Sequence, residues 1–270
     1  MNIARLQKLA QLTSVVALLM TSISLSAVEA GSAEEKGLAI AVEADKRGSG
    51  FVDSQATMTM ILTNARGDSS ERTLRVRSME VENDGDKSLT IFDTPADVKG
   101  TALLTFSHKF ENDDQWLFMP ALKRVKRISS SKKSGPFMGS EFAFEDLSSQ
   151  EVEKYTWKLL REESYEGMDS YVLERIPVDE DSGYTKQIIW MDKAEYRVHK
   201  VEYYDRKKSL LKTLYNRKYE LYQDKFWRSH DMLMVNHQTN KQTNLLWRDI
   251  SYQNGFSDSD FNKNTLSRIR

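Results

Sequence analysis

The chain has 270 residues, no cysteine, and 39 Lys and Arg residues against 40 Asp and Glu residues. A net charge of −1 argues against a general nucleic-acid-binding protein. The absence of cysteine excludes both a disulfide framework and a lipid-modified N-terminal cysteine. The length suits a single β-rich domain with a sizeable core.

The N-terminus has the layout of a secretory signal peptide. Arg5 and Lys8 precede a largely apolar run, residues 12–27, that ends in small residues. The run is shorter than the roughly 20 apolar residues of a spanning helix, which disfavours the alternative of a membrane anchor. We therefore predict a signal peptide over residues 1–30, cleaved after Ala30 or at the competing sites Ala27 and Ala33. One domain, residues 31–270, would remain in the periplasm.

The predicted elements of that domain are one helix followed by many strands. Residues 33–46 favour a helix, although Gly37 weakens it. From residue 57 the apolar residues alternate with period two, as Met58, Met60 and Leu62 do. Strand candidates are residues 57–63, 72–81, 87–92, 102–109, 115–128, 155–162, 170–176, 184–192, 198–204, 210–221, 226–236 and 242–252. Short connections between most of them predict an antiparallel, up-and-down sheet that curls toward a barrel.

The exception is the connection formed by residues 129–154, which is long for a compact β domain. Such a connection is either a functional lid or a disordered excursion. Phe137, Phe142 and Phe144 disfavour disorder, because disordered segments are poor in aromatic residues. We predict a lid-like loop, with a helical turn near residues 144–151.

Residues for catalysis are scarce. The four histidines show no metal-ligand spacing, and His230 and the adjacent Asp231 would point to opposite faces of a strand. The sequence has no P-loop, no dinucleotide-binding glycine motif and no nucleophile elbow. We expect no catalytic residue, no metal, no cofactor and no enzyme activity.

Binding is better supported than catalysis. In a strand beginning at Gln115, Trp116, Phe118 and Pro120 would share one face, and both faces would be apolar. Such a strand is either entirely core or carries a ligand on one face. The hypothesis of an apolar cavity closed by the lid gives these candidate ligand-binding residues: Trp116, Phe118, Pro120, Leu122, Phe137, Met138, Phe142 and Phe144.

A cationic cluster follows that strand: Lys123, Arg124, Lys126 and Arg127. Solvated strand ends often carry such charges. The alternative is the rim of an open sheet, where cations on both faces would contact anionic head groups or an acidic partner.

The stretch DDQWLFMPALKRVKRISSSKKSGPFMGSEFAFEDL, residues 113–147, resembles the outer membrane lipoprotein-sorting proteins, relatives of LolA, LolB and RseB. The most specific residues are Trp116, Pro120, Arg124, Arg127, Ser134, Phe137, Met138, Gly139, Ser140, Phe142, Glu145, Asp146 and Leu147. The resemblance implies a mainly β (α+β) fold, an unclosed antiparallel β-barrel of about eleven strands with helices on the concave face and a cavity for acyl chains.

The same resemblance implies a function in transport. A monomeric periplasmic carrier would bind the acyl chains of a lipid or lipoprotein. It would transfer them between membrane partners, namely an inner-membrane exporter of the resistance-nodulation-division type and an outer-membrane acceptor. The alternative is a lipid-responsive sensor or adaptor similar to RseB.

Overall fold

The computed structural model describes residues 31–268. The signal peptide predicted for residues 1–30 lies outside them. The predicted helix is confirmed as α1, Ala33–Gly48. Ser32 begins it with a capping box, in which the Glu35 N–H donates to Ser32 Oγ (3.1 Å) and the Ser32 N–H donates to Glu35 Oε2 (2.7 Å). Among residues 31–268, no helix is both long enough and apolar enough to cross a membrane.

Thirteen strands form one antiparallel sheet, and the predicted open, mainly β architecture is confirmed. The strands are β1 Asp53–Thr63, β2 Ser69–Met79, β3 Lys87–Thr94, β4 Ala102–Phe106, β5 Asp114–Met119, β6 Arg124–Ile128, β7 Tyr155–Tyr165, β8 Met168–Pro177, β9 Tyr184–Asp192, β10 Val198–Asp205, β11 Leu210–Tyr222, β12 Phe226–Asn236 and β13 Lys241–Tyr252. Their number exceeds the expected eleven or so.

One predicted strand is wrong. Residues 115–128 do not form a continuous strand but the hairpin of β5 and β6. A short 3₁₀ turn, Pro120–Leu122, separates them, and Lys123 has a left-handed backbone conformation with φ 47°. Proline lacks the N–H that a continuing ladder needs, which explains why the chain reverses there.

The strand order explains the long connection. Each strand pairs with the next one along the chain, except that β6 does not pair with β7, and β1 also pairs with β13 in the middle of the sheet. The edge strands are therefore β6 and β7, which follow each other in sequence yet lie twelve strand spacings apart. At ~4.8 Å per spacing the path along the sheet is about 58 Å. Residues 129–154, which we call the crossover, link these two edges.

The two faces of the sheet carry separate apolar clusters. The inner face, which contacts α1 and the crossover, includes Met60, Leu74 and Phe92. The outer face has its own cluster, covered by the C-terminal residues Phe261 and Leu266.

Helix α1 packs directly on the backbone of β7. A Cβ on Gly37 would lie 2.6 Å from Lys158 N and 2.7 Å from Leu159 N. Because only glycine fits this approach, the residue that weakens the helix in sequence is the one that permits its docking.

Candidate functional site

The crossover is bound to the inner face by polar contacts from several strands. Arg72 on β2 donates to the Met138 carbonyl (2.6 Å), and the Glu141 N–H donates to Thr243 Oγ1 on β13 (3.0 Å). Lys212 on β11 donates to the Glu141 carbonyl (2.8 Å). The contacts come from both halves of the sheet, so they fix the segment across the opening between the edges.

A buried ion pair lies under the crossover. Lys212 Nζ is 2.7 Å from Asp146 Oδ2, and the two side chains are only 4% and 5% exposed. The Tyr184 hydroxyl also donates to Asp146, at 2.8 Å. Burial, and then the charge of Asp146, raise the pKa of the tyrosine well above its ordinary value.

Glu145 makes a second anchor. Its carboxylate accepts hydrogen bonds from Ser182 Oγ (2.7 Å) and from the Gly183 N–H (2.9 Å). Burial and the neighbouring Asp146 carboxylate nevertheless raise the pKa of Glu145.

A cavity of about 280 Å³ lies between the crossover and the inner face. Its apolar wall consists of Met58, Val76, Phe137, Phe142, Leu147, Met232, Leu245 and Trp247. Its polar wall consists of Ser78, Asp86, Ser88, Thr90, Ser107, Asp146, Ser148 and Ser149. Half of the lining residues are thus apolar and half are polar, and the volume is slightly below the range of about 300–1,000 Å³ that is typical of ligand sites.

Asp86 connects the cavity to a larger groove of about 790 Å³ beside the C-terminal end of α1. Burial raises the pKa of Asp86 to about 7, and the nearby carboxylates of Glu151, Glu80 and Asp45 add to the rise. The pKa values of Asp45 and Glu151 are themselves raised, in both cases mainly by burial.

The lid residues of the sequence hypothesis lie inside the fold. Phe137 is fully buried and Phe142 is 3% exposed, and both line the cavity. Met138 and Phe144 pack against the same inner cluster without lining the cavity. The crossover is thus a packed cover, held by its own aromatic side chains.

The expectation that Trp116 and Phe118 share this interior is wrong. Both belong to the outer cluster, where Trp116 packs edge-on to Phe106 with ring centroids 5.2 Å apart. The other side of β5 faces inward, with Leu117 in the inner cluster. Both sides of this strand are apolar, and the C-terminal residue Phe261 covers the outer one.

Pro120 and Leu122 do not line the cavity either. They lie in the turn between β5 and β6, and Leu122 is 63% exposed. This follows from the reversal of the chain, which removes both residues from the strand.

The cationic cluster lies at an edge of the sheet. Arg124, Lys126 and Arg127 are exposed on β6, and Lys123 is exposed in the preceding turn. Arg127 Nε donates to Asp114 Oδ1 on β5 at 3.0 Å. Charged side chains on an edge strand also prevent pairing with another chain.

Most cavity residues lie outside the stretch that the sequence pointed to. Met58, Val76 and Leu245 come from β1, β2 and β13, whose alternating pattern predicts strands but not a cavity. The sequence feature that could have indicated the cavity is the presence of small polar residues at inward positions of two neighbouring strands. These are Ser78 on β2 and Ser88 on β3, which pair with each other.

His230 and Asp231 do not form a catalytic pair. His230 Nδ1 bonds the Trp247 carbonyl at 2.9 Å, and its other ring nitrogen lies 2.8 Å from the Tyr222 hydroxyl. Within residues 31–268, no group of three or more His, Cys, Asp and Glu residues is placed to hold a metal ion.

The open antiparallel sheet, with a helix and a crossover over an inner cavity, defines the class of LolA-like half-barrels. A family model described as that of an uncharacterized protein matches residues 84–268. An outer membrane lipoprotein-sorting protein domain from Vibrio parahaemolyticus is 60% identical, with a TM-score of 0.86, and the match covers 87% of this chain and 100% of that one. The chain therefore belongs to the LolA-like family of outer membrane lipoprotein-sorting proteins.

Two further crystal structures share the architecture. A DUF1329 family protein from Desulfovibrio piger is 30% identical, with a TM-score of 0.83 over 87% of this chain and 100% of that one. A LolA superfamily protein from Nitrosomonas europaea is 23% identical, with a TM-score of 0.69 over 87% of this chain and 99% of that one. The second likeness concerns the fold alone. No curated protein matches the chain.

Proposed function

We propose that the protein is a periplasmic carrier that binds acyl chains of a lipid or lipoprotein in the inner cavity and transfers them between membrane partners. The observation that carries the proposal is the cavity itself, lined on one side by Met58, Phe137, Phe142 and Leu245. Burying a CH₂ group contributes about 0.8 kcal/mol, so a chain needs no covalent step to be held. The family to which the chain belongs supports the same function.

A matched pair of cavity and surface variants tests the site. Val76 lines the cavity, whereas Val125 packs in the outer cluster, and both are half-buried. Val76→Phe should fill the cavity and lower the affinity for a fluorescent fatty acid at least about tenfold, or ~1.4 kcal/mol. Val125→Phe should bind as the wild type does. Equal binding by both variants would place the ligand elsewhere.

Native mass spectrometry of the protein purified from the periplasm tests the cargo. We expect co-purified lipid or lipoprotein in the wild type and less of it in Val76→Phe. Reproducible absence of any co-purified amphiphile, together with no fatty-acid uptake, would contradict the carrier function.

We further propose that the exposed cations of β6 and its turn contact the membrane partners, an inner-membrane exporter and an outer-membrane acceptor. Lys123, Arg124 and Lys126 are exposed at the sheet edge. Because these side chains lie outside the cavity lining, changing all three to Glu should slow transfer to anionic acceptor vesicles while fatty-acid uptake stays unchanged. An unchanged transfer rate would remove this surface from the mechanism.

A further inference from the structure

The polar end of the cavity carries more negative charge than its neighbours neutralise. Asp86 lies in the wall shared by the cavity and the groove, and Asp45 and Glu151 line the groove beside it. The Glu80 carboxylate in the same groove accepts the N–H groups of Gly50 and Val52, each at 2.6 Å. No donor to the Asp86 carboxylate is present among residues 31–268 at hydrogen-bond distance.

A second polar group at this end also lacks a partner. Ser148 lines the cavity and is only 7% exposed, and its Oγ makes no hydrogen bond within the described residues. The adjacent Ser149 is bound on both sides: its Oγ accepts the Asp86 N–H at 3.3 Å and donates to Glu151 at 2.6 Å. A buried hydroxyl without a partner is rare, because it loses its hydrogen bonds to water. Ser148 therefore marks a position suited to a polar atom of a ligand.

We propose that this end of the cavity recognises the positively charged nitrogen of an amphiphile whose acyl chain occupies the apolar end. The proposal rests on the acyl-chain carrier function above. Asp86, with Asp45 and Glu151, would attract the cation, and Ser148 Oγ would bond the ester or amide oxygen between head and chain. The same carboxylates would repel an anionic head group at this depth.

The charge environment makes the preference depend on pH. The groups around Asp86 are Asp45 on α1, Glu80 just after β2, Glu151 on the crossover and the cation Arg228 on β12. The groove also holds Glu82, Asp84 and Lys109, of which Asp84 is 2.7 Å from His108 Nδ1. Since the Asp86 pKa is about 7, this carboxylate is charged at pH 8.5 and largely protonated at pH 5.5.

The test compares two twelve-carbon amphiphiles below their micelle concentrations, dodecyltrimethylammonium and dodecanoate, by calorimetry at pH 8.5. We expect the cation to bind the wild type at least about tenfold more tightly, or ~1.4 kcal/mol. Its affinity should fall several-fold at pH 5.5, where its own charge is unchanged. Asp86→Asn should remove most of both effects. The exposed carboxylate Asp97, beyond the opposite end of β3, provides the control Asp97→Asn.

Glu151→Gln gives an independent variant if Asp86→Asn does not fold. Equal binding of the two amphiphiles, or a ratio that neither variant changes, would overturn the charge preference and leave the carrier function standing. Binding of neither amphiphile would overturn both.

Two further comparisons separate the sources of the charged nitrogen. The first sets single-chain phosphatidylethanolamine against single-chain phosphatidylglycerol. The second sets a palmitoylated peptide with lysine beside the acylated residue against one with glutamate. A preference for the nitrogen-bearing member of either pair supports the proposal and identifies the source, and a preference in neither pair overturns it.

Discussion

Replacing Lys212 by Met should loosen the crossover. Lys212 Nζ bonds the Glu141 carbonyl at 2.8 Å and Asp146 Oδ2 at 2.7 Å, and both charged side chains are almost fully buried. Removing one member of a buried pair costs about 3–5 kcal/mol, because the other charge stays buried. Asp146 keeps the Tyr184 hydroxyl and the Ala143 N–H, at 2.8 and 2.7 Å, so we expect the lower end of that range.

The assay for this variant is thermal unfolding followed by circular dichroism at pH 7.5. For a domain of this size 1 kcal/mol shifts Tm by about 2–4 °C, so a loss of ~3 kcal/mol lowers Tm by about 6–12 °C. The control is Lys158→Met, which removes a 46% exposed lysine whose Nζ lies 2.9 Å from the 60% exposed Glu34. Exposed pairs contribute about 0–1 kcal/mol, so its Tm should barely move.

A double variant, Lys212→Met with Asp146→Asn, should recover part of the lost stability, because no unpaired charge remains buried. A Tm for Lys212→Met equal to that of Lys158→Met would refute the reasoning. It would mean that the aromatic packing alone holds the crossover.

Three further variants test other contacts. Gly37→Ala should lower Tm, because its Cβ would lie 2.6 Å from Lys158 N, whereas Gly48→Ala, with no atom within 4 Å, should be neutral or stabilising by up to about 1 kcal/mol. Asp86→Asn should stabilise the protein in urea at pH 8.5 but not at pH 4. A carboxyl whose pKa in the folded protein is raised to about 7 makes its full contribution to stability only below its pKa in the unfolded chain. This stabilisation, here about 1–2 kcal/mol after screening, is lost as the pH rises through 7. Asp53→Ala should speed trypsin cleavage at Lys263, because the carboxylate accepts the N–H groups of residues 254–256 at 2.6, 3.0 and 3.1 Å; an unchanged rate would contradict this anchoring.

The sequence predicted the helix and the sheet because both rest on local pattern. Alternation in β1, with Met58 and Met60 on one side, is a property of a few neighbouring residues. The break at Pro120 was also a local signal, yet the apolar run on either side of it favoured one long strand. The length of the crossover follows from the pairing of β1 with β13, a contact between distant parts of the chain.

The side of β5 that faces the inner cluster could not be deduced from its own residues. Trp116 and Phe118 alternate with Leu117 and Met119, and both pairs are large and apolar. Which pair turns inward depends on what covers each face, and the outer cover is the C-terminal segment with Phe261. The larger aromatic residues of β5 pack in the outer cluster, so the size of its side chains does not indicate which side of the strand faces inward.

The cavity owes its volume to small inward side chains. Ser78 and Ser88 pair across β2 and β3 at the polar end, where larger side chains would fill the space beneath the crossover. Phe137 packs on Phe92, six residues along the chain from Asp86, with ring centroids 5.7 Å apart, and its N–H donates to the Phe142 carbonyl at 2.7 Å, so these phenylalanines lie away from the polar end. An amphiphile bound as proposed would have one favourable orientation, with the chain at the phenylalanines and the head at Asp86, because a reversed ligand would bury its polar group without a hydrogen-bonding partner. Under the proposed function, the arrangement of small polar and large apolar residues on one face of the sheet would therefore set the orientation of the cargo as well as its position.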